Sequence, residues 1–264
     1  MMGEPETGGN ALPEARSVGM AAIGAALGAG FRDFRKAPAF GLFFSAVYVL
    51  GGWLLLAVAS AAGREWWLIP VVAGFPLLGP FTAVGLYEVS RRIEAGEPLD
   101  WPGVLGTIFR QKDRQLPSMT AVILVLFLFW VFVAHTLFAL FLGLTPASVT
   151  AGAGPLDFLL QGKGPLMLMI GTLVGAGFAG VLFGMVLVGL PVLLDREVDF
   201  ISAIILSFQA AVLNVWPMLA WGLTITAILL LGMAPLFLGL LVALPVLGHA
   251  SWHMYRALTE YPPE

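Results

Sequence analysis

The sequence predicts an all-α integral membrane protein with six transmembrane helices in three tandem hairpins, each preceded by a cytoplasmic interfacial helix. The composition is the first reason: 59% of the 264 residues are hydrophobic and 11% are charged, whereas soluble domains carry about 25% charged residues. The second reason is a repeat, because an amphipathic stretch ends three times at a proline that opens a long apolar segment. These prolines are Pro38, Pro117 and Pro217. The bilayer is therefore the expected solvent.

The first sixteen residues are polar and contain Gly, Pro and Glu. A secretory signal peptide carries basic residues ahead of its apolar stretch, but only Arg16 precedes the small-residue run 17–30 here. We therefore expect residues 1–16 to form a disordered tail that stays attached and lies inside. Residues 17–264 are expected to form a single transmembrane domain.

The uncharged runs set the predicted spans, because a helix needs about 20 apolar residues to cross the hydrocarbon core. The last run is divided by a turn signal at 232–235. Interfacial helices are predicted at about 17–36, 100–114 and 199–215. The spans are predicted at about 38–62, 66–90, 118–144, 165–194, 217–232 and 235–255.

The distribution of basic residues predicts that both termini are cytoplasmic. In this orientation the inner segments hold all of the 13 lysines and arginines except Arg64 and Lys163. Such a bias follows the positive-inside rule. Both termini then lie on the same side of the membrane, which agrees with an even number of spans.

The predicted interfacial helices begin alike. Asp100 and Asp199 each precede an aromatic residue and fit the N-cap of a helix, and Ser17 is the expected cap of the first copy. Proline suits the start of an outgoing span because its missing N–H would be unpaired there. In the returning spans a proline removes a backbone donor, so we expect bends or breaks. Those prolines are Pro76, Pro191 and Pro245.

The third interfacial helix carries polar residues on or beside one helical face, which suits a helix lying at the membrane interface. An alternative with seven spans arises if this segment crosses the membrane instead. The polar residues are Asp199, Ser202, Ser207, Gln209 and Asn214.

Three motifs carry a resemblance to a known family: Phe75–Phe81, Gly85–Arg92 and Gly96–Pro98. On these residues the chain resembles a family of predicted bacterial integral membrane proteins, best represented in proteobacteria, with no assigned function. The resemblance covers roughly residues 30–258. It implies a multi-span fold in the bacterial inner membrane and transfers no catalytic residue.

The histidines are the main ionisable candidates. His135 lies within the third span, where an ionisable group is costly and is a candidate for function, although a neutral imidazole bonded to a neighbouring helix explains it too. His249 and His253 are four residues apart and share a helical face. Together with Glu88, at comparable depth, they form a weak metal candidate, but we expect no bound metal and no cofactor.

Two further sets of residues suggest packing and lipid contact. Glycines at GxxxG spacing in the fourth span let neighbouring backbones approach closely, within the bundle or in a homodimer. They are Gly171, Gly175, Gly180 and Gly184. Basic residues at the inner surface attract anionic headgroups, although they also serve topology. They are Arg91, Arg92, Arg110, Lys112 and Arg114.

The function predicted from these features is non-enzymatic. No catalytic residue is assigned, the absence of cysteine excludes disulfides and thiolate metal sites, and a net charge of −3 does not suggest a nucleic-acid partner. We expect an accessory or assembly factor, or a lipid-interacting scaffold, of the inner membrane. Its partners would be membrane lipids and a larger membrane complex or a second copy. The alternatives are a small-molecule or lipid transporter with a path between the hairpins, and a membrane enzyme that uses His249, His253 and Glu88.

Overall fold

The computed structural model describes residues 12–62, 68–111, 113–142 and 162–261, which are helical apart from loops and one pair of short strands. The expected all-α class is confirmed. The strands are β1 (Glu14–Ala15) and β2 (Thr259–Glu260). The first helices are α1 (Ala21–Lys36), α2 (Pro38–Ala62), α3 (Leu68–Ala95), α4 (Trp101–Gln111) and α5 (Leu116–Leu142). The others are α6 (Gly164–Val186), α7 (Gly189–Asp195), α8 (Phe200–Leu213), α9 (Val215–Met233) and α10 (Leu240–Leu258).

Several helices are long and apolar enough to cross a membrane. Among the described residues these segments are Leu116–Phe141, Gly164–Asp195 and Val215–Met233. A fourth is added if α1 and the first part of α2 count as one broken span, in which Ala21–Lys36 and Pro38–Leu54 meet at 102°.

Two of the three predicted interfacial helices begin with the predicted N-cap residue. The Asp100 carboxylate accepts a hydrogen bond from the Gly103 amide at 2.7 Å, and Asp199 accepts one from the Ser202 amide at 2.9 Å. Both predicted N-caps are confirmed. The predicted cap at Ser17 is wrong, because α1 begins at Ala21 and has no side-chain cap.

The chain divides into two compact units, and α10 is the central helix of the first. This unit holds the described residues up to Ala121 and from Gly184 onward. Within it α10 packs against α1, α2, α3 and α9. In the second unit, Val122–Phe183, the Phe178 ring of α6 lies 5.6 Å from the Phe129 ring of α5, centre to centre.

The backbones of α1 and α10 come closest at Gly30. A Cβ at this position would lie 2.5 Å from the Ala250 nitrogen and 2.6 Å from the Val246 oxygen, distances that real Cβ atoms essentially never show. A side chain at position 30 would therefore push the two helices apart. From the sequence, such contacts were predicted for the GxxxG pairs of α6 and not for Gly30.

The predicted packing glycines of α6 face rings or open space. A Cβ at Gly175 would lie 3.0 Å from the Trp130 ring, and one at Gly184 would lie 2.9 Å from the Phe208 ring. Beside Gly171 and Gly180, no atom of the described residues lies within 4 Å of such a Cβ. Aromatic rings thus lie beside two of the four glycines, and the predicted close packing, within the bundle or in a homodimer, stays a prediction.

The two ends of the described chain are joined. β1 and β2 pair antiparallel, with Glu14 opposite Glu260, and the Arg16 amide donates to the Leu258 carbonyl at 2.7 Å. The side chain of Asn214 accepts a hydrogen bond from the Val18 amide at 2.7 Å. Residues 14–16, which had been assigned to a disordered tail, are thus held by hydrogen bonds, while residues 1–11 lie outside the described part of the chain.

The prolines of the returning helices act in different ways. The expected break is present before Pro191, where α6 ends at Val186 and α7 begins at Gly189. The helices α3 and α10 run uninterrupted through Pro76 and Pro245.

The faces of α8 agree with the prediction only in part, since Asp199 and Gln209 are exposed as predicted. Ser207 and Asn214, expected on or beside a solvated polar face, are buried. The Ser207 hydroxyl accepts a hydrogen bond from the Val188 amide at 3.0 Å, within the break between α6 and α7. The exposed face is mainly apolar and includes Ile201, Ile205, Val212 and Leu213. The polar side chains turn inward because a buried amide there requires an acceptor.

Candidate functional site

Four polar side chains meet at the centre of the first unit. They are Asp33 of α1, Ser90 of α3, and His249 and His253 of α10. Ser90 and His249 have 0% of their surface exposed and Asp33 has 4%. Burial of polar groups is costly unless they are hydrogen-bonded, so the geometry of this cluster decides what it does.

The helices bring these residues together for identifiable reasons. His249 and His253 are four residues apart and lie on one face of α10. Asp33 shares the buried face of α1 with Ala26 and Gly30, and the absence of a side chain at Gly30 allows α1 to approach α10 closely.

The hydrogen bonds fix the direction of the protons. Asp33 Oδ2 lies 2.7 Å from His253 Nε2 and 2.9 Å from Ser90 Oγ. An ionised carboxylate only accepts, so both neighbours donate to it. Because the single Ser90 proton points to Asp33, His249 Nδ1, which lies 2.8 Å from Ser90 Oγ, donates to the serine. His249 Nε2 then carries a lone pair and has no hydrogen-bond partner among the described residues.

This order is not that of a nucleophilic triad. In such a triad the serine donates to a histidine, and that histidine donates to the carboxylate. Here Ser90 stands between His249 and Asp33 and donates to the carboxylate directly. Its proton faces the Asp33 carboxylate rather than a histidine, and its hydroxyl is buried. The arrangement links α1, α3 and α10 through side-chain hydrogen bonds.

Glu88 does not join the histidines. Its buried carboxylate accepts hydrogen bonds from Arg91 Nε at 2.8 Å, from Arg92 Nε at 2.7 Å and from the Thr107 hydroxyl of α4 at 3.1 Å. Glu88 and Ser90 are two residues apart, so they project about 200° apart around α3. The predicted set of His249, His253 and Glu88 is therefore not brought together. Among the described residues, no group of three or more His, Cys, Asp or Glu side chains could hold a metal.

The predicted headgroup arginines are largely engaged within the protein. Arg91 also pairs with Glu97, with 2.9 Å between Nη2 and Oε2, and this bond holds the pKa of the Glu97 carboxyl below its ordinary value. Arg92 donates to the Pro98 carbonyl at 2.9 Å, and Arg110 donates to Thr107. Arg114 pairs with Glu197, and Lys112 lies outside the described residues.

A second polar cluster joins α10 to α7 and α3. The hydroxyls of Tyr255 and Tyr261 both donate to Asp195, with 2.8 Å between Tyr255 Oη and Asp195 Oδ2. The Trp252 indole donates to Glu94 at 2.9 Å. These contacts anchor the C-terminal helix at the end opposite its turn with α9.

His135 lies in the second unit and has an exposed side chain. Its Nδ1 lies 2.8 Å from the Val131 carbonyl, one turn earlier in α5. A carbonyl only accepts, so Nδ1 carries the proton. The expected hydrogen bond is thus made within its own helix rather than to a neighbouring one.

Sequence reasoning missed Asp33 and Ser90. A signal for Asp33 was present, because it follows Ala26 and Gly30 at helical spacing and is the one acidic residue of α1. Ser90 lies within one of the motifs on which the family resemblance rests, but nothing in its local sequence indicates which neighbour it faces.

One family model matches part of the chain. Residues 68–195 match the family described as predicted integral membrane protein (DUF2189). The matched segment runs from α3 to α7 and contains all three motifs that carry the resemblance. The description of this family as integral membrane proteins agrees with the long apolar helices of the structure. No curated protein and no solved structure matches the chain.

Proposed function

We propose that this chain is a non-enzymatic integral membrane protein that acts as a lipid-interacting scaffold or assembly factor in the bacterial inner membrane. The observation that carries this proposal is the order of the buried cluster. Ser90 donates to Asp33 and accepts from His249 Nδ1, so the serine hydroxyl is engaged on both sides. Within the described residues, Ser90 and His249 have no exposed surface through which a substrate could reach them.

We also propose six spans, formed by α2, α3, α5, α6 with α7, α9 and α10. Pairing of β1 with β2 supports an even number, because it places residues 15 and 259 on the same side of any membrane that the chain crosses. Helix α10 is less apolar than a typical span, but it packs against five other helices and needs little lipid-facing surface. The seven-span alternative would put the paired strands on opposite sides.

The charge distribution supports cytoplasmic termini and an inner-membrane location. Only Arg64 and Lys163 fall in the proposed outer loops, as the positive-inside rule requires. Contact with lipid or with a membrane partner is supported by the apolar outer faces of two helices. On α8 this face includes Ile205 and Val212, and on α5 it includes Phe132, with 65% of its surface exposed.

The proposal is tested by purifying the full chain from membranes in nanodiscs and identifying co-purifying proteins and lipids by mass spectrometry. We expect the wild type and the Gln209→Ser variant to retain the same co-purifying proteins and lipids. The double variant Ile205→Ser/Val212→Ser should lose them. All three substitutions lie on exposed positions of α8, so the comparison isolates the apolar face. Co-purification no greater than that of an unrelated membrane protein would contradict a scaffold.

One observation favours the enzyme alternative, namely the convergence of His249 and His253 with a carboxylate. That alternative requires Ser90 or His249 to become accessible. Turnover by the purified protein that is abolished by both His249→Gln and Ser90→Ala, with the fold retained, would replace the scaffold proposal.

A further inference from the structure

We propose that the C-terminal half of α1 binds the phosphate headgroup of anionic phospholipids through Arg32, Arg35 and Lys36. This inference rests on the proposed function, since it assumes that the chain lies in a membrane and contacts lipid. It places the headgroup contact on α1, away from the arginines of the 91–114 segment.

These three residues lie away from the protein core. The buried residues of α1 are Ala26, Gly30 and Asp33, and the basic side chains are all exposed. Asp33 is adjacent in sequence but is turned toward His253 and Ser90. The one carboxylate of α1 therefore does not neutralise the basic face.

The basic side chains also lack acidic partners. Arg91, Arg92, Arg114 and Arg256 all form ion pairs with carboxylates. Within the part of the chain that the structure describes, no ion pair is formed by Arg32, Arg35 or Lys36. The Arg35 guanidinium lies 6.0 Å from the centre of the Phe31 ring. Three positive charges on about one helical turn thus remain available to an external anion.

The bend between α1 and α2 places this face at headgroup depth. Ala21–Lys36 and Pro38–Leu54 meet at 102°, so if α2 crosses the membrane, α1 runs along its surface. Phe31 is 47% exposed. Trp101 is 39% exposed and its ring lies 4.1 Å from that of Phe40, in the first turn of α2. Aromatic rings favour the membrane–water interface, which fixes the basic residues beside the phosphates.

An anionic headgroup matches these residues in charge and geometry. A guanidinium presents paired donors to phosphate oxygens, and each basic residue near an anionic surface contributes about a fivefold increase in affinity. Zwitterionic headgroups carry a compensating cation and gain much less. The expected preference is therefore for phosphatidylglycerol over phosphatidylethanolamine.

The test is native mass spectrometry of the full-length protein in mild detergent, titrated with phosphatidylglycerol or phosphatidylethanolamine. The double variant Arg32→Gln/Arg35→Gln should weaken phosphatidylglycerol binding at least fivefold and leave phosphatidylethanolamine binding unchanged. The control Arg16→Gln/Lys163→Gln removes the same charge elsewhere and should bind like the wild type. Unfolding temperatures of both variants should equal that of the wild type, because neither arginine of the test pair has an ion pair to lose.

The outcomes separate this inference from the proposed function. If the wild type prefers phosphatidylglycerol and the double variant keeps that preference, the site on α1 is refuted while the lipid-interacting role stands. If the wild type retains neither lipid, both are refuted. If millimolar inorganic phosphate displaces phosphatidylglycerol completely from the wild type, the site recognises soluble phosphate and the lipid assignment is overturned.

Discussion

His253 of the last helix donates a hydrogen bond to Asp33 of the first, with 2.7 Å between His253 Nε2 and Asp33 Oδ2. The same carboxylate oxygen accepts from Ser90. Replacing Asp33 by Ala leaves the buried Ser90 hydroxyl and the partly exposed His253 ring without their acceptor. A buried donor without a partner costs about 1–3 kcal/mol.

We therefore expect Asp33→Ala to lower the free energy of unfolding by about 2 kcal/mol, measured by denaturant titration in detergent. The exposed Asp113 provides a matched control, and Asp113→Ala should leave the transition in place. Equal losses for the two variants would show that Asp33 is not part of a stabilising junction.

Gly30 should tolerate no larger residue. In Gly30→Ala the new methyl group would meet the backbone of α10 at 2.5 Å, and overpacking of this kind costs about 1–3 kcal/mol. The control is Gly24→Ala in the same helix, where no described atom lies within 4 Å of the added Cβ. That change should stabilise the protein by about 0.5–1 kcal/mol, because alanine favours a helix over glycine. Melting temperatures that shift in the same direction would refute the close contact.

The cap at Asp199 predicts a dependence on pH. Hydrogen bonds from the Ser202 side chain and amide lower the pKa of the Asp199 carboxyl. A carboxyl whose pKa is lower in the folded state stabilises that state above its ordinary pKa of about 3.9 and loses this contribution as the pH falls through the lower, folded value. Asp199→Ala should therefore speed hydrogen exchange at the Ser202 amide at pH 7.

The difference in exchange between the wild type and Asp199→Ala should shrink at pH 3. The Asp199→Asn variant keeps an acceptor but cannot ionise, so its Ser202 protection should fall between the two at pH 7. Identical protection in all three proteins would show that the cap contributes nothing.

The six-span topology predicts where reporters become active. A fusion at Glu264 should give a cytoplasmic signal, and one in the 145–163 loop, of which residues 145–161 lie outside the described part, should give a periplasmic signal. Fusions after residue 100 and after residue 198 should both be cytoplasmic. A periplasmic C-terminus would contradict both the six-span proposal and the charge-based orientation.

Local signals located several of the helix starts. Pro38 begins α2, and Asp100 and Asp199 cap α4 and α8 as predicted. These features depend on residues within one turn of each boundary, which is why a sequence pattern can locate them. The all-α class follows from composition in the same way.

Local sequence could not predict whether a given helical face points into the protein or toward its surface. The spacing of Ser207 and Asn214 was recognised, but their inward orientation depends on hydrogen bonds to partners distant in sequence. Ser207 accepts from the Val188 amide, and Asn214 bonds to the segment 16–18. Glu88 was grouped with the histidines because of its depth in the membrane. Its angle around α3, together with the two arginines that follow it, directs it to Thr107 instead.

The central place of α10 has a consequence for biosynthesis. Helices α1, α2 and α3 leave the ribosome before α10, yet each of them packs against it. Before α10 is made, Asp33 lacks its bond from His253, and the α1 surface at Gly30 lacks the helix that packs on it. A chain truncated before Leu240 would lose every contact that α10 makes with α1, α2 and α3.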